Sequence, residues 1–240
     1  MKKLNYSSLL IVTYGRSGST LLQGVLNEID EVFIRGENCN FCYGIYQSYK
    51  SLERAKMRAK KAKISSCSPV SPWFGALDYD LDAYKVQQSK TIKQLMLHGT
   101  EGVSCYGFKE VRYDSVPAED FSDYLKFLDC VFPNLGIVFN VRNIDEVLKS
   151  GWWKSKKHKE TKRLLMETEQ RFMEYASSDS NCFVISYSDV VNKTQSLKEL
   201  YDFIGAEYNE ASVNDVLSRP HSYGQSKGVL DKLNQALKGE

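Results

Sequence analysis

The feature that most constrains the fold is residues 9–22, where an apolar run, a polar turn with two glycines and an amphipathic segment follow one another. Residues 9–12 are apolar and partly β-branched, which predicts a short buried strand. After the turn, apolar side chains recur at helical spacing: Leu21, Leu22, Val25, Leu26 and Ile29. This periodicity predicts a helix with one apolar face. A strand, a glycine turn and a helix in this order place backbone N–H groups and a positive helix end around an anion such as phosphate.

The side chains of the turn fit the same interpretation. Gly15 and Gly18 permit positive φ angles and a close approach of the backbone to a ligand. Arg16 between them offers a planar cation that suits paired anionic oxygens. Three residues add hydroxyl donors: Ser17, Ser19 and Thr20. We therefore predict that these six positions bind a phosphate-like group, the alternative being a tight turn that binds no ligand.

The turn differs from the common ATP-binding loop, G-x-x-x-x-G-K-[ST]. Thr13 stands where that pattern has its first glycine, and Ser19 stands where it has its lysine. The cation comes two residues before the second glycine instead, as Arg16. The sequence therefore predicts a phosphate-binding loop of another class.

Composition narrows the class of protein. The chain has 240 residues, 32 Lys plus Arg and 30 Asp plus Glu, for a net charge of +2. This near-balance argues against wholesale nucleic-acid binding. The length suits one α/β domain over residues 1–240. We read no signal peptide and no span of about 18 apolar residues, and so expect a cytoplasmic protein with reduced cysteines. Cys39 and Cys42 form a C-x-x-C pair without a second pair to complete a zinc site.

The rest of the chain alternates between strand and helix patterns. Strands are predicted over 32–34, 103–111, 135–141 and 181–187. Helices are predicted over 44–63, 80–98, 117–132, 144–151, 160–176 and 197–204, with a loop over 219–228 before a short last helix. Such alternation predicts an α/β fold with a mostly parallel sheet and helices on both faces. The helix over 44–63 is strongly basic, which indicates either a solvated face or a cationic rim for an anionic acceptor.

A second constellation follows the strand over 135–141. Arg142 stands at the strand end and Ser150 stands eight residues later. With Ser150 about two turns into the predicted helix, the guanidinium and the hydroxyl would lie on one side and converge on one phosphate. The alternative is an arginine that caps a strand and an unrelated helical serine.

Together the two constellations resemble the PAPS-dependent sulfotransferases, where PAPS is 3′-phosphoadenosine 5′-phosphosulfate. R-S-G-S-T-L-L after a strand is similar to their 5′-phosphosulfate loop, especially in the carbohydrate-modifying and bacterial members. Arg142 and Ser150 resemble their 3′-phosphate motif, with Asn143-Ile144 in place of the frequent Asp-Pro. The resemblance implies a P-loop-NTPase-like sulfotransferase fold, PAPS as donor without a metal, and a carbohydrate, lipid or small-molecule acceptor. It leaves the acceptor and the oligomeric state open.

The resemblance also implies further site residues. Tyr187, at the end of a strand, corresponds to a tyrosine near the adenine, the alternative being an aromatic core residue. Ser226 and Lys227 lie where the family closes over the 3′-phosphate. The segment G-F-K-E-V-R resembles a strand end on the acceptor side. It assigns three residues to the acceptor: Lys109, Glu110 and Arg112. The alternative for this segment is a surface ion-pair network.

Sulfuryl transfer needs a base that takes the acceptor's proton. Glu37 follows the second strand through Gly36, which places it at the same sheet edge as the loop, and the resemblance supports this choice. His221 and Glu110 are the other candidates. The alternative for Glu37 is that it pairs with Arg35 or Arg16.

Two other functions stay open at this stage. One is a P-loop phosphotransferase that uses ATP, against which the missing lysine and first glycine count. The other is a non-catalytic nucleotide-binding protein that has kept the fold, which the absence of a base near the loop would favour.

Overall fold

The core of the molecule is a five-stranded sheet, seen in a computed structural model that describes residues 3–61 and 68–219. The strands are β1 (Ser8–Val12), β2 (Val32–Arg35), β3 (Cys105–Glu110), β4 (Leu135–Val141) and β5 (Cys182–Ser186). Their order across the sheet is β2-β3-β1-β4-β5, and each neighbouring pair is parallel. The α/β prediction is confirmed, with a sheet that is parallel throughout the described residues.

Nine α-helices connect and follow the strands in the described residues. They are α1 (Ser19–Leu26), α2 (Phe41–Lys61), α3 (Leu81–Leu97), α4 (Ala118–Val131), α5 (Ile144–Leu148), α6 (His158–Ser178), α7 (Tyr187–Asn192), α8 (Gln195–Ile204) and α9 (Glu210–Ser218). Short 3₁₀ turns cover Ala76–Asp78, Tyr113–Ser115 and Gly151–Ser155. In this part of the chain, no helix combines the length and the apolar content needed to cross a membrane.

Helices cover both faces of the sheet, as the sequence predicts. Leu10 and Val12 of β1 pack in the apolar cluster shared with α2 to α6. Leu9 and Ile11, on the opposite face, pack in the cluster shared with α1 and α7 to α9. Every residue of β1 is buried. Strand β1 is therefore packed on both faces, which fixes the position of the turn that follows it.

The strand order determines where a ligand can bind. From β1 the chain runs through α1 to β2 on one side of the sheet, and from β4 it runs through α5 and α6 to β5 on the other side. The carboxyl ends of β1 and β4 are neighbours, and their connections diverge. In open parallel sheets a crevice forms at such a point, and ligands bind there. The two segments that meet at this crevice are residues 13–18 and 142–151.

The structure corrects three local predictions. The helix predicted over 144–151 ends at Leu148, and Ser150 instead precedes the Gly151–Ser155 turn. The strand predicted over 181–187 ends at Ser186, whose side chain forms a capping box with Asp189 and begins α7. Helix α9, begun by the Asn209 cap, lies in a segment where the sequence patterns predict no element.

The outer edge of β2 is covered by a side chain. Asn27, which ends α1, accepts a hydrogen bond from the Ile34 N–H at 2.7 Å and donates one to the Ile34 carbonyl at 3.0 Å. Both backbone groups that Ile34 turns away from β3 are thus paired. The carboxamide takes the place that a further strand would occupy.

Candidate active site

The turn after β1 has the geometry of an anion-binding loop. Arg16 and Gly18 adopt left-handed backbone angles, with φ of 70° and 86°. No side chain caps the first turn of α1, so within the described residues its first N–H groups have no side-chain partner. The Thr13 hydroxyl lies 2.7 Å from the Ser17 hydroxyl and 2.6 Å from the Asn140 carbonyl. These buried bonds attach the start of the loop to β4.

Two aromatic rings lie directly on the glycines of the loop. A Cβ on Gly15 would overlap the indole of Trp152, and a Cβ on Gly18 would overlap the ring of Tyr187. The positive φ of Gly18 further disfavours any other residue there. Trp153 is buried and donates its indole N–H to the Gly15 carbonyl at 2.8 Å. The glycines are therefore needed for close packing of rings against the backbone.

The two predicted phosphate-binding segments meet in the structure. The Nε of Arg16 donates to the Ser150 hydroxyl at 3.0 Å. The Arg142 guanidinium lies 4.1 Å from the centre of the Tyr187 ring and 3.5 Å from the Arg16 carbonyl, and it also pairs with Glu146 at 3.1 Å. The convergence has a different origin from the predicted one. Ser150 reaches the loop from the turn after α5, because α5 has already ended at Leu148.

A buried network that sequence reasoning missed fixes the base of the loop. The Tyr14 hydroxyl bonds to the Glu169 carboxylate on α6 and to the backbone of Arg142. Burial is the main cause that raises the pKa of both the Tyr14 phenol and the Glu169 carboxyl. Tyr14 thereby joins the start of the loop, the end of β4 and a helix that begins at the same sheet edge.

Glu37 forms the other half of the site. It follows β2 by two residues, and its side chain is 45% exposed. Its Oε1 lies 2.6 Å from the Nζ of the buried Lys109, while its Oε2 makes no hydrogen bond within the described residues. The alternative partners are both engaged elsewhere: Arg35 donates to the carbonyls of Met96 and His98 at the end of α3. Arg16 bonds to Ser150. Glu37 is thus oriented by Lys109 and keeps one oxygen available.

Glu110 is buried and bonded to the backbone, so it does not face an acceptor as the sequence predicts. Its side chain is fully buried, and it accepts four backbone N–H bonds. Oε2 accepts from Asn38 and Asn40 at 3.1 and 2.8 Å, and Oε1 accepts from Val111 and Arg112 at 2.8 and 3.1 Å. With both oxygens occupied, Glu110 holds the Glu37 loop against the end of β3.

The remaining predicted site residues are dispersed. The Arg112 side chain is 55% exposed, and its backbone bridges to Tyr14 beside the loop. Lys109 lies beneath Glu37 and is buried, so the acceptor-facing surface that we expected from it belongs to Glu37 instead. Ser226, Lys227 and the runner-up base His221 lie outside the described residues.

The basic part of α2 engages its own neighbours. Lys50 pairs with Glu53 at 2.5 Å, Lys56 donates to the carbonyls of Leu77 and Tyr79, and Arg58 lies over the Trp73 ring. The contacts of Lys56 and Arg58 attach α2 to the loop that precedes α3. Part of the positive charge of this helix is thus used in contacts within the molecule. The sequence alone allows either a solvated face or a cationic rim here.

The arrangement separates an anion-binding region from a carboxylate. Arg16, Arg142 and the first turn of α1 supply positive charge and N–H donors at the β1–β4 crevice. Glu37 follows β2, two strand spacings or about 10 Å from β1. A cavity of about 480 Å³ opens beside Glu37 between α1, β2 and the end of α3. The crevice can thus hold an anionic group while the cavity admits a second molecule beside the carboxylate.

Comparison with known proteins adds one match. A family model described as "Sulfotransferase family" matches residues 8–210, which include β1 to β5 and the whole described site. No curated protein matches the chain at a significant level.

Proposed function

The chain belongs to the sulfotransferase family, and on this premise we propose that it moves a sulfuryl group from PAPS to a hydroxyl or amine of an acceptor. The acceptor would be a carbohydrate, lipid or small molecule, and residues 1–240 would act as one domain without a metal. The observation that carries this proposal is the hydrogen bond between Arg16 and Ser150 beside Arg142. It joins the two halves of the predicted donor site, which are 134 residues apart in sequence.

The described residues fit a donor that carries two separate phosphates. The uncapped first turn of α1 and Arg16 suit the 5′-phosphosulfate. Arg142 and Ser150 suit the 3′-phosphate. Tyr187, whose ring lies against the Arg142 guanidinium, suits a position near the adenine. Mg-ATP fits less well, because no lysine follows Gly18 in the loop.

Catalysis in this proposal depends on positive groups placed next to the oxygen on which negative charge develops. When the sulfur–oxygen bond of the donor breaks, negative charge grows on the oxygen that stays with the 5′-phosphate. Arg16 and the loop N–H groups are positioned to stabilise that charge, and such preorganised stabilisation accounts for much of the rate enhancement in many transfer reactions. Trp152 lies against Gly15, and the buried Trp153 donates to the Gly15 carbonyl, so both rings support this side of the loop.

Glu37 acts as the base in this proposal. The attacking acceptor oxygen forms a bond to sulfur, and its proton passes to Oε2, which has no hydrogen-bond partner in the described residues. Lys109 holds Oε1 and so fixes the orientation of the carboxylate. The products are a sulfated acceptor, adenosine 3′,5′-bisphosphate and a protonated Glu37 that returns its proton to solvent.

A thermal-shift series tests the proposal. A ligand that binds the native state raises its stability by about 2.7 kcal/mol at a hundredfold excess over its dissociation constant. We expect stabilisation by adenosine 3′,5′-bisphosphate, less by AMP, and none by Mg-ATP. Stabilisation by Mg-ATP alone would instead select a phosphotransferase. Equal responses to adenosine 3′,5′-bisphosphate and AMP would remove the 3′-phosphate assignment of Arg142 and Ser150.

A further inference from the structure

A second basic segment lies beside the loop, and the proposed reaction does not use its charged side chains. Residues 149–163 contain seven Lys or Arg side chains and one Glu. The whole chain is only +2, so the remainder is net acidic. Positive charge is thus concentrated in a stretch that begins at the donor site.

The fold fixes this segment at the active edge of the sheet, by which we mean the carboxyl ends of the strands, where the loop after β1 lies. Ser150 bonds to Arg16, and Trp153 bonds to the Gly15 carbonyl. The chain then enters α6, whose first residue is His158. Lys154 and Lys156 therefore follow a residue that is attached directly to the loop, and they are exposed.

Several of these cations have no carboxylate partner among the described residues. Lys157, Lys162 and Arg163 pair with Glu160, Asp145 and Glu167. In residues 3–61 and 68–219, no ion pair involves Lys154, Lys156 or Lys159. Unpaired cations grouped at an active edge raise the local concentration of anionic ligands.

An exposed aromatic ring and one face of α6 accompany the charges. Trp152 is 51% exposed and lies between Gly15 and the cations. Beyond Trp152 the chain enters α6, and one face of this helix is formed by Lys159, Lys162, Arg163, Met166, Glu167 and Gln170. The surface thus offers an aromatic face and then a row of flexible cations.

We infer that this surface binds the acceptor and that the acceptor is an acidic oligosaccharide; this inference rests on the proposed function. The C–H face of a sugar ring can stack on the exposed indole of Trp152. Carboxylate or sulfate groups repeated along the saccharide pair with Lys154, Lys156 and Lys159. The same molecule supplies the hydroxyl that the reaction needs.

The sheet sets a minimum length for this acceptor. Glu37 follows β2, and the basic segment follows β4, three strand spacings away. At about 4.8 Å per spacing, a molecule that reaches from Glu37 to Trp152, which packs on Gly15 after β1, spans about 10 Å, and one that reaches the lysines after β4 spans about 14 Å. A monosaccharide is too short, so binding should strengthen with chain length until both sites are reached.

Calorimetry on the full chain tests the inference. The probe is an oligogalacturonate, which carries one carboxylate per sugar. A maltooligosaccharide of equal length and a glutamate-rich peptide with one tyrosine and equal charge are the comparison ligands. We expect only the oligogalacturonate to bind well, more tightly than galacturonate dimer, and less tightly as salt is raised.

Two matched double variants locate the surface. Lys154→Glu with Lys156→Glu reverses two exposed cations at the active edge, and Lys60→Glu with Lys61→Glu reverses two at the far end of α2. Like-charge contacts should weaken oligogalacturonate binding at least about tenfold in the first variant and less than about twofold in the second. The first variant should still bind adenosine 3′,5′-bisphosphate.

Each contrary result has a distinct meaning. Equal losses in both variants, tighter binding of the peptide, or a loss of nucleotide binding instead of glycan binding would each overturn the inference. Nucleotide binding without any oligogalacturonate binding would overturn it and leave the proposed function standing. Oligogalacturonate binding without nucleotide binding would overturn the proposed function and leave the glycan surface in place.

Discussion

Replacing Glu110 by Gln should destabilise the fold and disturb the loop that carries Glu37. The buried carboxylate accepts two backbone N–H bonds on each oxygen, and two of the four come from Asn38 and Asn40, directly after Glu37. A glutamine has the same shape, but one of its two terminal atoms is an NH₂ group. That group would face two N–H donors and could accept from neither.

The size of the effect follows from the bonds lost. A hydrogen bond to a charged group is worth about 1.5–3 kcal/mol, so losing two costs about 3–6 kcal/mol. A chain of this size loses roughly 2–4 °C of melting temperature per kcal/mol, so Tm should fall by on the order of 10 °C. Where the NH₂ group faces Asn38 and Asn40, the Glu37 loop is released, and kcat should also fall while nucleotide binding is kept.

Urea denaturation followed by circular dichroism measures the change in the free energy of unfolding. Glu101→Gln is the matched control, since it makes the same chemical change at an exposed loop position and should stay within about 0.5 kcal/mol of wild type. A loss below about 1 kcal/mol for Glu110→Gln would show that its four bonds do not hold the loop as argued.

Four further predictions concern the site and its thiols. Arg142→Ala should weaken adenosine 3′,5′-bisphosphate roughly 10- to 100-fold but AMP little, by calorimetry, and equal losses would contradict its role. Glu37→Gln should lower kcat by about 10²–10⁴ and leave nucleotide binding intact, whereas normal turnover would place the base elsewhere. Burial raises the pKa of the Glu169 carboxyl, so its contribution to stability is full at low pH and is lost as the pH rises through that pKa. The difference in Tm between wild type and Glu169→Gln should therefore shrink from about pH 4 to pH 7. A difference that grows over this range would show that the pKa is shifted in the opposite direction. Burial raises the pKa of the Cys42 thiol to about 12, so iodoacetamide at about pH 8 should label exposed Cys39 and spare Cys42 in peptide mapping, and equal labelling of both would count against the fold of this loop.

Local patterns are sufficient to predict the sheet and the loop. The buried run before Gly15 and the apolar face of α1 each have a period that one sequence window displays. The spacing of Arg142 and Ser150 also points to one site. The predicted reason for that convergence is wrong, because Ser150 leaves the helix and reaches Arg16 from a 3₁₀ turn.

Long-range contacts explain what the sequence did not reveal. Trp153 and Gly15 are 138 residues apart, and Glu169 and Tyr14 are 155 apart. No short stretch of sequence contains both members of such a pair. A tyrosine or a glutamate within a helix is also too common to indicate a buried hydrogen bond. The partner of Glu37 was missed for the same reason, since Lys109 is 72 residues away and meets it only through strand pairing. Helix α7 did have a local signal, the Ser186–Asp189 capping box, which a strand interpretation concealed.

The carboxamide of Asn27 has a consequence for the protein in a crowded solution. A sheet that ends in a bare strand offers a template on which another chain can add a strand, and this is a common route to aggregation. Strand β2 is short, and both outward backbone groups of Ile34 are already bonded to Asn27. An incoming chain would have to displace this side chain and its two hydrogen bonds before it could pair. One asparagine at the end of α1 thus opposes strand addition at Ile34, on the edge that also carries Glu37.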